Sequence, residues 1–138
     1  LTPEQWDIQS QCEAWDVRHA AAHVIMPFQQ SKGQFVLGVL KNGFNLNKMA
    51  VTETAKIAAA MSNDEIIQAL RDNAENHWTP PIPGFGAEIP LSEVVVHGQD
   101  IRNAVGLECS VPAETIELAL RDIKKDKIRE DYRRRIAG

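Results

Sequence analysis

An all-α fold is what this sequence predicts, and three observations carry the prediction. Helix-start signals recur along the chain at Thr2-Pro3, Asp16, Ser62 or Asn63, and Pro90. In "SNDEIIQALRDNA" the apolar residues Ile66, Ile67 and Leu70 share one helical face behind an acidic first turn. The run of valines in "EVVVH" lies between flanks that show no alternation of apolar and polar positions.

The elements follow in order. "LTPEQWDIQSQCEAW" opens on an N-cap and a proline at the first helical position, with room only for a short helix. Asp16 caps a second helix, "VRHAAAHVIMPFQQ", supported by its alanines, Val17, Val24 and Ile25, which Pro27 should kink or loosen. Gly33, Gly38 and Gly43 weaken a continued helix over residues 31–46, ahead of a turn around "KNGFN". A third helix is expected from Leu46 to Ala60, with Met49, Thr52/Glu53, Ala55 and Ala59 only loosely periodic, and "SNDEIIQALRDNA" forms the next.

"HWTPPIPGFGAEIP" is too dense in proline and glycine for a helix or a central strand. It reads as a long loop, and ordered long loops in compact domains tend to be functional. In "PLSEVVVHGQDIRNAVG" the valines favour a strand by propensity, but seventeen residues are long for one. Helix is expected there, with Pro90 near its start and Gly106 as its stop. A final helix should begin near Pro112 or Ala113 and run into the charged C-terminus.

The 138 residues make one domain, 1–138, with a 43% hydrophobic and 25% charged composition typical of soluble globular proteins. A net charge of -4 gives no overall pull toward nucleic acid or acidic membranes. That total hides a basic segment from Arg121 to Arg135, with eight Lys/Arg against four Asp/Glu. It reads as a solvated helix face, because neither a recognition motif nor an aromatic stacking platform accompanies it. Cys12 and Cys109 do not make a disulfide framework and are expected to be buried small hydrophobes. With no signal-peptide pattern and no apolar run of the roughly 18–20 residues that span a bilayer, a reducing cytoplasm is the expected compartment.

Chemistry centres on Glu93 and His97. On a helix, four residues apart means one face and Cβ atoms about 6 Å apart, so both reach one ion at roughly 2.0–2.2 Å. On a strand they would lie some 13 Å apart, too far to chelate. Taken alone, a carboxylate and a histidine so spaced are more often a surface ion pair than a metal site. His23 follows Ala20, Ala21 and Ala22, where a core-facing imidazole has room for an ion, or is simply a hydrogen-bonded core residue. His19, four residues earlier, is either a further ligand or an exposed side chain near the helix start. Asp100 lies along the stripe of Glu93 and His97, as an acceptor for a ligand imidazole or a plain surface acid. Arg102 has the fork to grip a substrate carboxylate, or to pair with Asp100 or Glu108. His77 and Trp78 open the proline loop as pocket-lining residues, or Trp78 is a core anchor.

Read together, "QCEAWDVRHAAAH", the proline-glycine loop and "PLSEVVVHGQDIRNAVG" resemble the mycothiol-dependent, maleylpyruvate-isomerase-like family. That family belongs to the DinB-like group of metal-binding four-helix bundles. Its pattern is a cysteine and tryptophan before a capped "VR" helix ending in histidine, then an "L-x-E-x-x-x-H-x-x-D-I-R" helix. The resemblance runs from about Leu1 to Gly106, with a weaker echo in "RRRIAG". It departs at Ala14, where the family has glycine before tryptophan, and at His19, where an acid is common. Relatives usually carry a helix ahead of "LTPEQW", and these residues start without one. The expectation is therefore a four-helix bundle lacking its first helix, with packing against a partner, such as a homodimer, or a longer polypeptide as the two ways to complete it.

The resemblance implies that His23, Glu93 and His97 are the ligands of one divalent metal. Zinc is the first expectation, with nickel, iron or manganese compatible with the same donors. It implies a small-molecule substrate and a low-molecular-weight thiol such as mycothiol, with the metal activating that thiol or water for isomerisation or transfer. No catalytic protein side chain follows from it. A metal-binding interaction or sensing module without turnover is the alternative. Neither nucleic acid nor a membrane is expected as a partner.

Overall fold

Side-chain caps set where four of the helices begin. Asp16 accepts the His19 backbone N–H, Asn45 that of Lys48, and both Ser31 and Ser62 form reciprocal boxes with Gln34 and Glu65. The computed structural model describes residues 1–84, 86–108 and 111–125. After a 3₁₀ turn at Glu4–Asp7 come α1 (Val17–Ile25), a second 3₁₀ turn at Met26–Gln29, α2 (Lys32–Lys41) and α3 (Leu46–Ala60). Helices α4 (Asn63–Asp72), α5 (Glu88–Ala104) and α6 (Ala113–Lys125) follow. The described residues are thus all-α, their one β pairing an isolated bridge between Gln9 and Asp16. Cys109, "RRRIAG" and most of the basic segment lie outside them.

Two expectations need correction. Residues 31–46 do not continue the α1 helix: Pro27 tightens it into a 3₁₀ turn, and the Ser31–Gln34 box starts a separate helix. In α3 the buried residues are Met49, Thr54 and Ala58, whereas Thr52, Ala55 and Ala59 face solvent. The helix buries two sides, Met49 against Gly38 of α2 and Thr54 against His23 of α1, so no single period describes it. "EVVVH", by contrast, lies within α5 as helix.

Two helices stop by the same device. At α5, Gly106 turns to φ 72°, the Leu107 N–H reaches Arg102 O at 2.9 Å, and that of Gly106 reaches Asn103 O at 3.4 Å. At α2, Gly43 (φ 66°) and Phe44 (φ 62°) give the matching pair of bonds to Leu40 O and Val39 O. Glycine takes this left-handed backbone without strain, and phenylalanine does not.

Helix α1 is the centre of the molecule. Val17, Ala20, Ala21, Ala22, His23 and Ile25 are all buried, and α3, α4 and α5 pack around it. Its alanines let those neighbours approach closely. The main core joins Val17, Ala22 and Ile25 to Trp6, Ala58 and Ile66. Arg18 ties α1 to the end of α3, donating to Ala58 O at 2.9 and 3.0 Å and also to Met61 O and Asn63 Oδ1. No helix among the described residues is long and apolar enough to cross a membrane.

Candidate metal centre

The segment before α1 is folded by its own polar groups. Gln9 Nε2 donates to Cys12 O at 2.8 Å and Trp15 O at 2.7 Å, and Ser10 Oγ donates to Trp15 O at 2.6 Å. The Gln11 N–H reaches Asp100 O on α5 at 3.4 Å. These bonds seat Trp15 over the junction of α1 and α5. Its ring lies 4.3 Å from that of His23 and 5.2 Å from that of His97, centroid to centroid.

Below that ring His23, Glu93 and His97 converge. Glu93 Oε2 stands 3.2 Å from His23 Nε2 and 3.3 Å from His97 Nε2, so one carboxylate oxygen gathers both imidazoles. A donor atom from each of the three falls within 4.8 Å of the other two. The far nitrogens are held as well. His97 Nδ1 lies 3.1 Å from Asp100 Oδ2, and His23 Nδ1 lies 3.2 Å from Thr54 Oγ1 on α3. His97, Asp100 and Thr54 are buried, and the Glu93 side chain retains 27% exposure.

The charges follow from this geometry. Burial opposes a positive His97, but Asp100 and Glu93, on either side of the ring, outweigh it and raise its pKa to about 9. Nδ1 then donates to Asp100, and Nε2 faces the Glu93 carboxylate at ion-pair distance. Burial also acts to raise the Glu93 pKa, yet hydrogen bonds from the two imidazoles hold it well below the usual carboxylate range. His23 moves the other way, because burial lowers its pKa against the pull of Glu93. A neutral His23 donates from Nε2 to Glu93 and accepts at Nδ1 from the Thr54 hydroxyl.

Two imidazole nitrogens and a carboxylate oxygen at this separation suit a borderline divalent ion, and the chain's donors fit such a site. Cys12, His97 and Asp100 form a second group with donor atoms within 4.8 Å, all buried and sharing His97 with the first. His19 belongs to neither group: its Nδ1 is 2.7 Å from Asp16 Oδ1 at the start of α1. The Arg102 side chain folds back along its own helix, with Nη1 3.1 Å from where a Cβ on Gly98 would stand.

His77 and Trp78 line a groove of about 410 Å³ with Val24, Phe28, Leu70 and Val94. Val24 and Val94 each follow a clustered residue in sequence, but none of the three clustered side chains lines the groove. The Trp78 ring meets Phe35 at 5.4 Å. Thr54 and Trp15 are the members of the centre that sequence reasoning passed over as site residues. Thr54 shares a helical face with Ala58 four residues on, and that spacing is the local signal for Thr54; nothing local points to Trp15 as a roof. No family model, no curated protein and no solved structure matches the chain.

Proposed function

We propose that His23, Glu93 and His97 hold one divalent metal ion, zinc first, in a DinB-like helical domain that uses it to activate a small thiol or water. The observation that carries this reading is the single Glu93 oxygen shared by two Nε2 atoms at 3.2 and 3.3 Å, with both far nitrogens engaged. Nitrogens turned inward and fixed from behind are the arrangement ligand imidazoles adopt. The chemistry such an ion supplies is Lewis acidity, which makes a bound thiol or water nucleophilic at neutral pH. Three protein donors leave a coordination position for it.

The chain's own residues supply the rest. Asp100 and Thr54 orient the two imidazoles, Trp15 covers them from solvent, and the partly exposed Glu93 marks the open side. Isomerisation or transfer with mycothiol or a similar thiol as cosubstrate is the activity the motif resemblance favours. Arg102 is the proposed group for a substrate carboxylate, by swinging off its helix.

Metal analysis of the purified protein beside His23→Ala and Glu93→Ala tests the centre. Stoichiometric metal in the parent and its loss from both variants is the expected result; a variant with full occupancy would remove that residue from the ligand set. A second reading, a metal held for structure or sensing without turnover, is favoured by the groove, whose lining leaves out all three donors. The cobalt-substituted protein separates the two. A visible spectrum that changes when a small thiol is added supports an accessible metal, and an unchanged one supports the closed module.

A further inference from the structure

Helix α2 is apolar on both of its sides. Phe35 is buried, half-buried Val39 turns the same way, and Gly38 lets Met49 of α3 come within 3.3 Å of where a Cβ would stand. On the outer side Val36, Leu37 and Leu40 are exposed, the two leucines at 49% each. Helical spacing puts these three in one stripe, with exposed Lys32 and Lys41 on its two flanks. Phe44 stands just beyond the helix at 75% exposure, held outward by a left-handed backbone that disfavours any side chain. A helix with apolar residues on two sides favours an apolar surrounding on both, and among the described residues only one side is covered.

Charge selects what covers the other. No Asp or Glu occurs between residues 17 and 52, a stretch that carries Lys32, Lys41 and Lys48 besides Arg18, whose guanidinium is taken up by Ala58, Met61 and Asn63. On a chain with net charge -4 the charged side chains that flank the apolar ridge, Lys32 and Lys41, are both basic. Two copies meeting stripe to stripe would set lysine against lysine with no carboxylate from this stretch between them. A convex ridge also asks a protein partner for a matching groove. A lipid surface asks for neither: the aliphatic side chains and Phe44 enter the boundary between headgroups and acyl chains. The lysine stems lie along that boundary with their ammonium groups on anionic headgroups.

We propose that the outer stripe of α2, ending at Phe44, docks this protein peripherally on an anionic lipid bilayer. The inference is independent of the metal centre and uses none of its residues. It is tested by sedimenting the full chain with vesicles of phosphatidylcholine alone and of equal parts phosphatidylcholine and phosphatidylserine. Binding is expected to the mixed vesicles and to be weaker on the neutral ones by about tenfold or more, since each lysine near an anionic surface contributes several-fold. Leu37→Gln/Leu40→Gln and Lys32→Glu/Lys41→Glu should each abolish most of that binding while leaving the far-ultraviolet circular dichroism unchanged. Phe44→Asn should weaken binding without lowering the thermal midpoint, because asparagine tolerates the left-handed backbone.

Three outcomes would overturn the proposal. The first is a parent chain that stays in the supernatant with the mixed vesicles. The second is Leu37→Gln/Leu40→Gln sedimenting as the parent does, which would place the attraction on basic residues elsewhere. The third is a stripe variant that lowers the molar mass of the protein in solution with no effect on vesicle binding, which would make the face an interface between copies.

Discussion

Thr54 and Asp100 do different work on two otherwise similar imidazoles. Asp100 is an acceptor only, so it fixes His97 Nδ1 as a donor whether or not Nε2 carries a proton. Thr54 is both donor and acceptor, so it can serve His23 in the tautomer that donates to Glu93 and in the one that would bind an ion through Nε2. Thr54→Val and Asp100→Asn should each weaken metal affinity by about 10–100-fold in a competitive chelator titration, the usual effect of losing such a support. Equal affinity in Thr54→Val would mean that packing alone orients His23.

The charge on His97 makes a pH prediction for the metal-free protein. Its folded pKa, about 9, lies above the 6.5 of a free imidazole. The charged ring with its two carboxylates therefore adds stability fully at and below pH 6.5, and that contribution is lost as pH rises through 9. Urea midpoints measured with chelator present should fall over this window, and His97→Gln should flatten the fall. In the same window metal affinity should rise, because an ion must displace the proton on Nε2.

At the scale of elements, the caps decide the boundaries. Ser62 stands in a reciprocal box with Glu65, each side chain bonded to the other residue's backbone N–H, and α4 has a buried face only at Ile66 and Ala69. Ser62→Ala should cost about 0.5–2 kcal/mol in equilibrium unfolding, within the range found for lost N-caps. The same signal stands at Ser31 and Gln34, where the glycines around it point instead to a weakened continuation of α1. Asp16, Ser62 and Gly106 were legible since a cap is a local bargain between a side chain and the nearest unpaired backbone groups. Helix was also the right reading of "EVVVH", where length and the lack of alternation outweighed valine's preference for strands.

For the whole molecule, the burial of α1 is the main constraint. Ala22 is fully buried in the main core, which also joins Ala58 of α3 and Ile66 of α4. Ala22→Leu should therefore destabilise by about 1–3 kcal/mol through overpacking. Because His23 follows directly, the same substitution should shift the Trp15 fluorescence that reports on the ring stack. A variant with wild-type stability and emission would mean that the helices around α1 can separate without cost.

Some of this protein is determined by the sequence alone, because it depends on neighbours along the chain. The helical class, most of the caps and stops, and the placing of Glu93 and His97 on one helical face are of that kind. His23 is a candidate only through motif resemblance, and Thr54 is not among the positions that the loose periodicity of α3 picks out. Their meeting with Glu93 depends on α1 lying between α3 and α5, contacts made by residues 31 and 70 positions apart in sequence. The tertiary structure decided it, since packing brings distant side chains together according to the shape of the whole core rather than any local pattern. It also decided which face of α2 stays uncovered, because the helix carries apolar residues on both sides and α3 takes only one.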